Sequence, residues 1–246
     1  MARQLTFRAA AAHVPGSGAI TLILEALRNL TLTFATLFPI INPLGVAPIF
    51  LSLTSAYPDS IRKLLARRIA IYGFLLLGGS LAIGSAVLAF FGISLPIVQI
   101  AGGIVLARTG WTMLNQEGSD TTDGPKTGTV EGAMQHAFYP LTLPLAVGPG
   151  CISVTVAFGA DIRQQSTLAR TDYIPPFLGA LAGMVLVCIA LSLCFEHAGK
   201  LAAFLGRPGT NIVVRLSAFL LLAMGVQIIW NGVTSSLAPL LVRAAP

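Results

Sequence analysis

Three prolines recur at one spacing in two places along the chain. The stretch Phe38-Pro39-Ile40-Ile41-Asn42-Pro43-Leu44-Gly45-Val46-Ala47-Pro48 aligns without gaps on Tyr139-Pro140-Leu141-Thr142-Leu143-Pro144-Leu145-Ala146-Val147-Gly148-Pro149. The prolines are in register, and Leu44 and Val46 match Leu145 and Val147. A proline removes a backbone donor and clashes with the carbonyl four residues back, so each motif predicts an unwound break in a helix. At such a break, freed carbonyls suit a cation and helix N-termini suit a carboxylate. Asn42 and Thr142 would add side-chain hydrogen bonds, with Pro43 and Pro144 holding the breaks open. Gly45 and the Gly148-Pro149-Gly150 turn would let a solute approach the backbone closely. The competing reading is that the prolines only kink helices for packing.

Other polar residues in apolar surroundings are few. Arg215 lies about one turn beyond Asn211 in the last apolar run, where an ionised side chain is expensive unless paired, hydrated or snorkelling. Gln227 and Asn231 follow on the same run and Gln99 lies on an earlier one. Together they suit a polar interior, and equally they suit helix-to-helix hydrogen bonding. Arg215 and Gln227 join the motif residues as candidate substrate-binding residues. Cys151, Cys188 and Cys194 form no CxxC pair and read as packing residues. No metal-ligand spacing, no nucleophile with a base and no GxxxxGK[ST] loop occurs, so no cofactor, metal or enzymatic activity is expected. His136 and His197 sit near helix ends, and no Asp or Glu lies deep in an apolar run.

The elements that must position these residues follow from composition. Of 246 residues, 55% are hydrophobic and 10% charged, against about a quarter charged in an ordinary soluble domain. Too few charges exist to clothe a water-soluble exterior, and the mean hydropathy of +0.82 agrees. A bilayer core of about 30 Å takes about 20 helical residues. On that measure residues 29–58, 136–160, 173–195 and 216–242 each hold one crossing. Residues 69–107 hold two, split into a hairpin at Gly92-Ile93-Ser94-Leu95-Pro96.

The predicted fold is therefore an all-α membrane bundle of six transmembrane helices. A polar tail (1–20) precedes a first unit (21–114), a polar connecting loop (115–135) and a second unit (136–246). Residues 100–114 and 215–229 match weakly around Gly110 and Gly225, so the third spans of the two units also correspond. Each unit has an odd number of spans, so a repeated unit enters the membrane from the opposite side. Two inverted three-helix repeats with broken first helices result, the plan of many secondary transporters.

The net charge of +6 is spread over connections and helix ends, which suits a membrane surface and not nucleic acid. Arg62, Lys63, Arg67, Arg68, Lys126, Lys200 and Arg207 fall on one side. Arg3, Arg8, Arg28, Arg163, Arg170 and Arg243 fall on the other. That small excess predicts both termini outside.

These residues resemble the MarC family of bacterial integral membrane proteins. The resemblance rests on the first proline motif with Ile49-Phe50-Leu51-Ser52-Leu53-Thr54, on Phe91-Gly92-Ile93-Ser94-Leu95-Pro96 leading to Ile100-Ala101-Gly102-Gly103, and on Gly148-Pro149-Gly150. Arg215-Leu216 and Met224-Gly225-Val226-Gln227 extend it to the last span. It implies a six-span inner-membrane protein similar to LysE-type exporters. The expected function is thus secondary transport of a small polar, amino-acid-like metabolite, and the expected partners are the lipid bilayer and that unidentified solute. A homo-oligomer stays open, as do a non-transporting scaffold or regulator and an intramembrane enzyme or redox relay.

Overall fold

The computed structural model describes residues 17–115, 130–139, 141–165 and 174–244, almost all of them helical. Helix α1 (Ser17–Ile41) meets α2 (Pro43–Leu53) at Asn42, and α3 (Asp59–Phe90) and α4 (Leu95–Asn115) form a hairpin. Then come α5 (Val130–Phe138), a π-helical segment (Leu141–Ala146), α6 (Pro149–Gln165), α7 (Ile174–Glu196) and α8 (Ala198–Ala244). The tail expected over 1–20 lies largely outside the described residues, as does most of the 115–135 loop, and α5 starts inside that loop.

Among the described residues five helical stretches are long and apolar enough to cross a bilayer: Thr21–Ile41, Asp59–Phe90, Leu95–Asn115, Ile174–Glu196 and Pro208–Leu237. The crossing expected over 136–160 is instead divided among α5, the π segment and α6. Within that stretch Leu143 is extended (φ −115°, ψ 119°), and Pro144 and Pro149 supply no backbone donor. The hairpin turn falls where its sequence predicts, with Gly92 at φ +65°, a conformation costly for any residue with a Cβ.

Helix α8 begins 18 residues before the expected start at 216, at Ala198. Arg207 and Arg215 bound an apolar window but do not stop a helix. The real interruption is Gly206 (φ 63°, ψ 177°), a backbone state essentially reserved for glycine.

In lipid, tails compete equally for apolar surface, so helices associate through close packing of small residues. Helix α4 packs on α8 more extensively than any other pair, and α1 on α7 is next. Helix α3 packs on α6 and α7, α2 on α8, and α4 on α6. A Cβ added at Gly110 would lie 2.5 Å from Leu222 N and 2.7 Å from Ala218 O, and one at Gly103 would lie 2.7 Å from Gly225 O. The interior is apolar, with Leu65, Ile69, Leu77 and Leu81 down one face of α3 and Phe50 stacked on Phe195 at 4.3 Å between ring centroids. The outward faces carry Ile71, Leu75, Ile83, Phe90, Leu193, Phe219 and Leu220, the belt that lipid would cover.

Candidate substrate site

The first break is one residue wide. Asn42 sits in the left-handed region (φ 52°, ψ 58°) as N-cap of α2, and its Oδ1 accepts from Gly45 N at 3.1 Å. Asn tolerates this conformation better than most residues, and Pro43 fits the first position of the new helix because no donor is missed there. Backbone bonding resumes at once on both sides, from Asn42 N to Phe38 O at 2.9 Å and from Val46 N to Asn42 O at 3.0 Å. Gly45 is buried because Ser217 of α8 crosses there: an added Cβ would lie 2.6 Å from Ser217 Oγ.

The second break differs in form. Leu143, aligned with Asn42, cannot occupy the left-handed region cheaply and is extended instead. The chain then overshoots by one residue: Val147 N donates to Thr142 O, five residues back, at 2.8 Å. The buried Thr142 hydroxyl donates to Ala137 O at 2.7 Å, and α6 restarts at Pro149 with Gly150 buried against Leu106. Helix α2 packs against the π segment, so the two motifs are neighbours in the interior.

At both breaks a side-chain oxygen of the motif turns back onto the local backbone. Asn42 Oδ1 and the Thr142 hydroxyl bond to their own backbone. Asn42 Nδ2 is buried without a hydrogen-bond partner among the described residues, although an unpaired buried group is costly in apolar surroundings.

The space suited to a solute lies beside the first break. A cavity of about 450 Å³ is lined by Thr36 and Ile40 of α1, Leu95 and Gln99 of α4, Val154, Ala157, Phe158 and Asp161 of α6, and Met224, Gln227, Ile228 and Asn231 of α8. That volume lies in the range of small-molecule sites, as does the mix of apolar wall and a few polar groups. Gln227 Nε2 donates to Asn231 Oδ1 at 2.9 Å. On α6 and α8 the lining residues recur at i, i+3, i+4 and i+7, one face of each helix.

Of the ten candidate residues, Gln227 alone lines this cavity. Gln99 and Asn231, read in the sequence as companions of Gln227, are brought onto the same wall. Asn42, Pro43, Gly45, Thr142 and Gly150 are buried and do not line it, Gly148 is half-buried and Pro149 exposed. Pro144 lies in the π segment, and Arg215 is exposed on α8 away from the lining. Thr36 and Asp161 were not singled out. Asp161 falls one residue past the crossing expected to end at 160, and a boundary drawn at the first charge hides it.

A signal for the α6 wall does exist. The ungapped alignment of the two motifs continues through Ser52/Ser153, Thr54/Thr155, Ala56/Ala157 and Tyr57/Phe158. The side-chain bonds match as well. Thr54 Oγ1 donates to Phe50 O at 2.6 Å and Thr155 Oγ1 to Cys151 O at 2.8 Å. Ser52 Oγ donates to Ile49 O at 2.8 Å and Ser153 Oγ to Gly150 O at 2.9 Å.

Against known proteins, the profile described as MarC family integral membrane protein matches residues 27–237. The UPF0056 inner membrane proteins MarC of Escherichia coli O1:K1 / APEC and of Escherichia coli strain K12 are each 30% identical over 220 residues, covering 86% of this chain and 96% of theirs. No solved structure matches. With long apolar helices, lipid-ready faces and a profile match over most of its length, this multi-pass membrane protein belongs to the MarC family.

Proposed function

We propose that this inner-membrane protein is a secondary transporter that exports a small polar, amino-acid-like metabolite. In this reading α5, the π segment and α6 together make the fourth of six crossings, and the two halves are inverted repeats.

The observation that carries the reading is the cavity itself. It is walled by elements of both halves, reaches Ile40 two residues before the first break and holds a cluster of polar side chains in an otherwise apolar bundle. Inverted-repeat carriers place their sites where repeats meet, on discontinuous helices.

Two matched sets of contacts support the repeat. Gly110 crowds Ala218 and Leu222, while Gly225 crowds Gly103 and Ala107; these are the same positions exchanged between the third spans as aligned at Gly110 and Gly225. Likewise α1 pairs with α7 as α5 pairs with α3, and α2 with α8 as α6 with α4. With no nucleotide-binding loop in the chain, an ion gradient supplies the energy.

The test is metabolite profiling of deletion and overexpression strains, with the cavity-filling variant Ala157→Trp as control. Deletion raises, and overexpression lowers, the internal level of at least one small polar solute, and Ala157→Trp abolishes the second effect. Profiles unchanged in both strains contradict transport and leave a scaffold.

A further inference from the structure

We propose that a second, smaller cavity, where α3 begins and α7 meets α8, holds the phosphate of an anionic membrane lipid, with Lys63 and Lys200 as its charged partners. It shares no residue with the larger cavity and stands whether or not that one is a transport site.

The second cavity, about 110 Å³, has room for a phosphate group or a few waters, not for a metabolite of the size the larger one admits. Phe195, buried and stacked on Phe50, is its one large apolar wall. The rest is polar, with Asp59, Arg62 and Lys63 from the first turns of α3 and Glu196, His197 and Lys200 from the junction of α7 with α8.

These charges do not cancel. Asp59 is taken by Arg62, and Glu196 accepts from Arg67 Nε at 3.1 Å and from Ser192 Oγ at 3.4 Å. His197 Nδ1 donates to Leu193 O at 3.0 Å. Lys63 and Lys200 are exposed, and among the described residues neither has a carboxylate within ion-pair distance. Arg67, its side chain 70% exposed, commits Nε to Glu196 and keeps its other N–H groups for a further acceptor. Like charges on one cavity repel, and an anion between the two lysines relieves that repulsion.

Position decides what carries the phosphate. Helix α3 has 32 residues where about 20 cross the core of a bilayer, and its charges are in the first turns, so the cavity stands at head-group depth. Basic pockets between helices at that depth bind anionic head groups. Lys200 and Phe204 lie one turn apart on one face of α8, before the break at Gly206, and Phe204 is 86% exposed. Leu64, next to Lys63, and Leu193, one turn before Glu196, are exposed as well. Apolar side chains left open beside the cations suit a ligand with acyl tails and give nothing to free phosphate.

The test uses the full chain, delipidated in detergent, with binding read by native mass spectrometry and by thermal shift. The probes are dioleoylphosphatidylglycerol, dioleoylphosphatidylcholine and inorganic phosphate. Phosphatidylglycerol binds at least about tenfold more tightly than phosphatidylcholine, which has the same tails and a phosphate but no net charge, and inorganic phosphate does not displace it. Lys63→Gln/Lys200→Gln, on exposed side chains, loses that preference while melting like the wild type without lipid, and Lys63→Arg/Lys200→Arg keeps it. Arg28→Gln/Arg108→Gln, an equal loss of charge away from the cavity, keeps it too. Equal binding of the two lipids overturns the proposal, as does an unchanged preference in Lys63→Gln/Lys200→Gln or an equal loss in Arg28→Gln/Arg108→Gln. Displacement by inorganic phosphate overturns it as well, by assigning the cavity to the free ion.

Discussion

Asn42 and Leu143 occupy one aligned position and break their helices in different ways because only one of them tolerates positive φ. Asn42→Ala removes the cap to Gly45 N and places a Cβ residue with no local hydrogen bond in the left-handed region. A loss of about 2–3 kcal/mol is expected, with Asn42→Gly costing less than half of that, since glycine forfeits only the cap. Thermal melting of the detergent-solubilised protein checks the order, and equal losses would contradict the backbone account. Gly45→Ala is expected to cost about 1–3 kcal/mol because its methyl meets Asn42 and Ser217, whereas Gly79→Ala, with nothing within 4 Å, is neutral or slightly stabilising. The break positions were legible at this scale because proline chemistry is local. The backbone bonds of Asn42 Oδ1 and the Thr142 hydroxyl were not, since they depend on which groups the fold buries.

At the scale of elements, the apolar runs gave the helices, and glycine conformation gave what runs alone miss. The hairpin at Gly92 was readable because glycine and proline cluster there. The early start of α8 was not, because Gly206 stands next to Arg207 and Pro208 in a stretch that looks like an ordinary connection. Gly206→Ala must leave φ 63°, ψ 177° or carry strain of about 1–3 kcal/mol, so it shifts the angle between residues 198–205 and the span that follows. Spin-label distances between positions 199 and 220 in the two proteins measure that shift, and superimposable distributions would contradict it. The divided fourth crossing has a related cause. Residues 136–160 pass a length-and-hydropathy test, but Leu143 and the prolines around it interrupt the backbone within that window.

Over the whole molecule, the cavity lies toward one end of the bundle, and several residues aligned with its lining are buried at the other. Phe158 lines the cavity, whereas Tyr57, its aligned counterpart, is 2% exposed beside the connection from α2 to α3. Ala137 and Leu141, aligned with the lining residues Thr36 and Ile40, are buried too. Chain direction places the cavity's end with the termini, the side expected outside from the distribution of Lys and Arg. In the transporter reading proposed above this asymmetry is one access state, and sequence does not reveal it, because both states are built from the same residues. The most direct measurement is thiol labelling of intact cells by a membrane-impermeant maleimide, in a Cys194→Ala background that leaves only the buried Cys151 and Cys188. Asn231→Cys is expected to label and Tyr57→Cys to stay protected. A protected Asn231→Cys, or equal labelling of both, would contradict a solvent-reached site on one side of the interface between the halves.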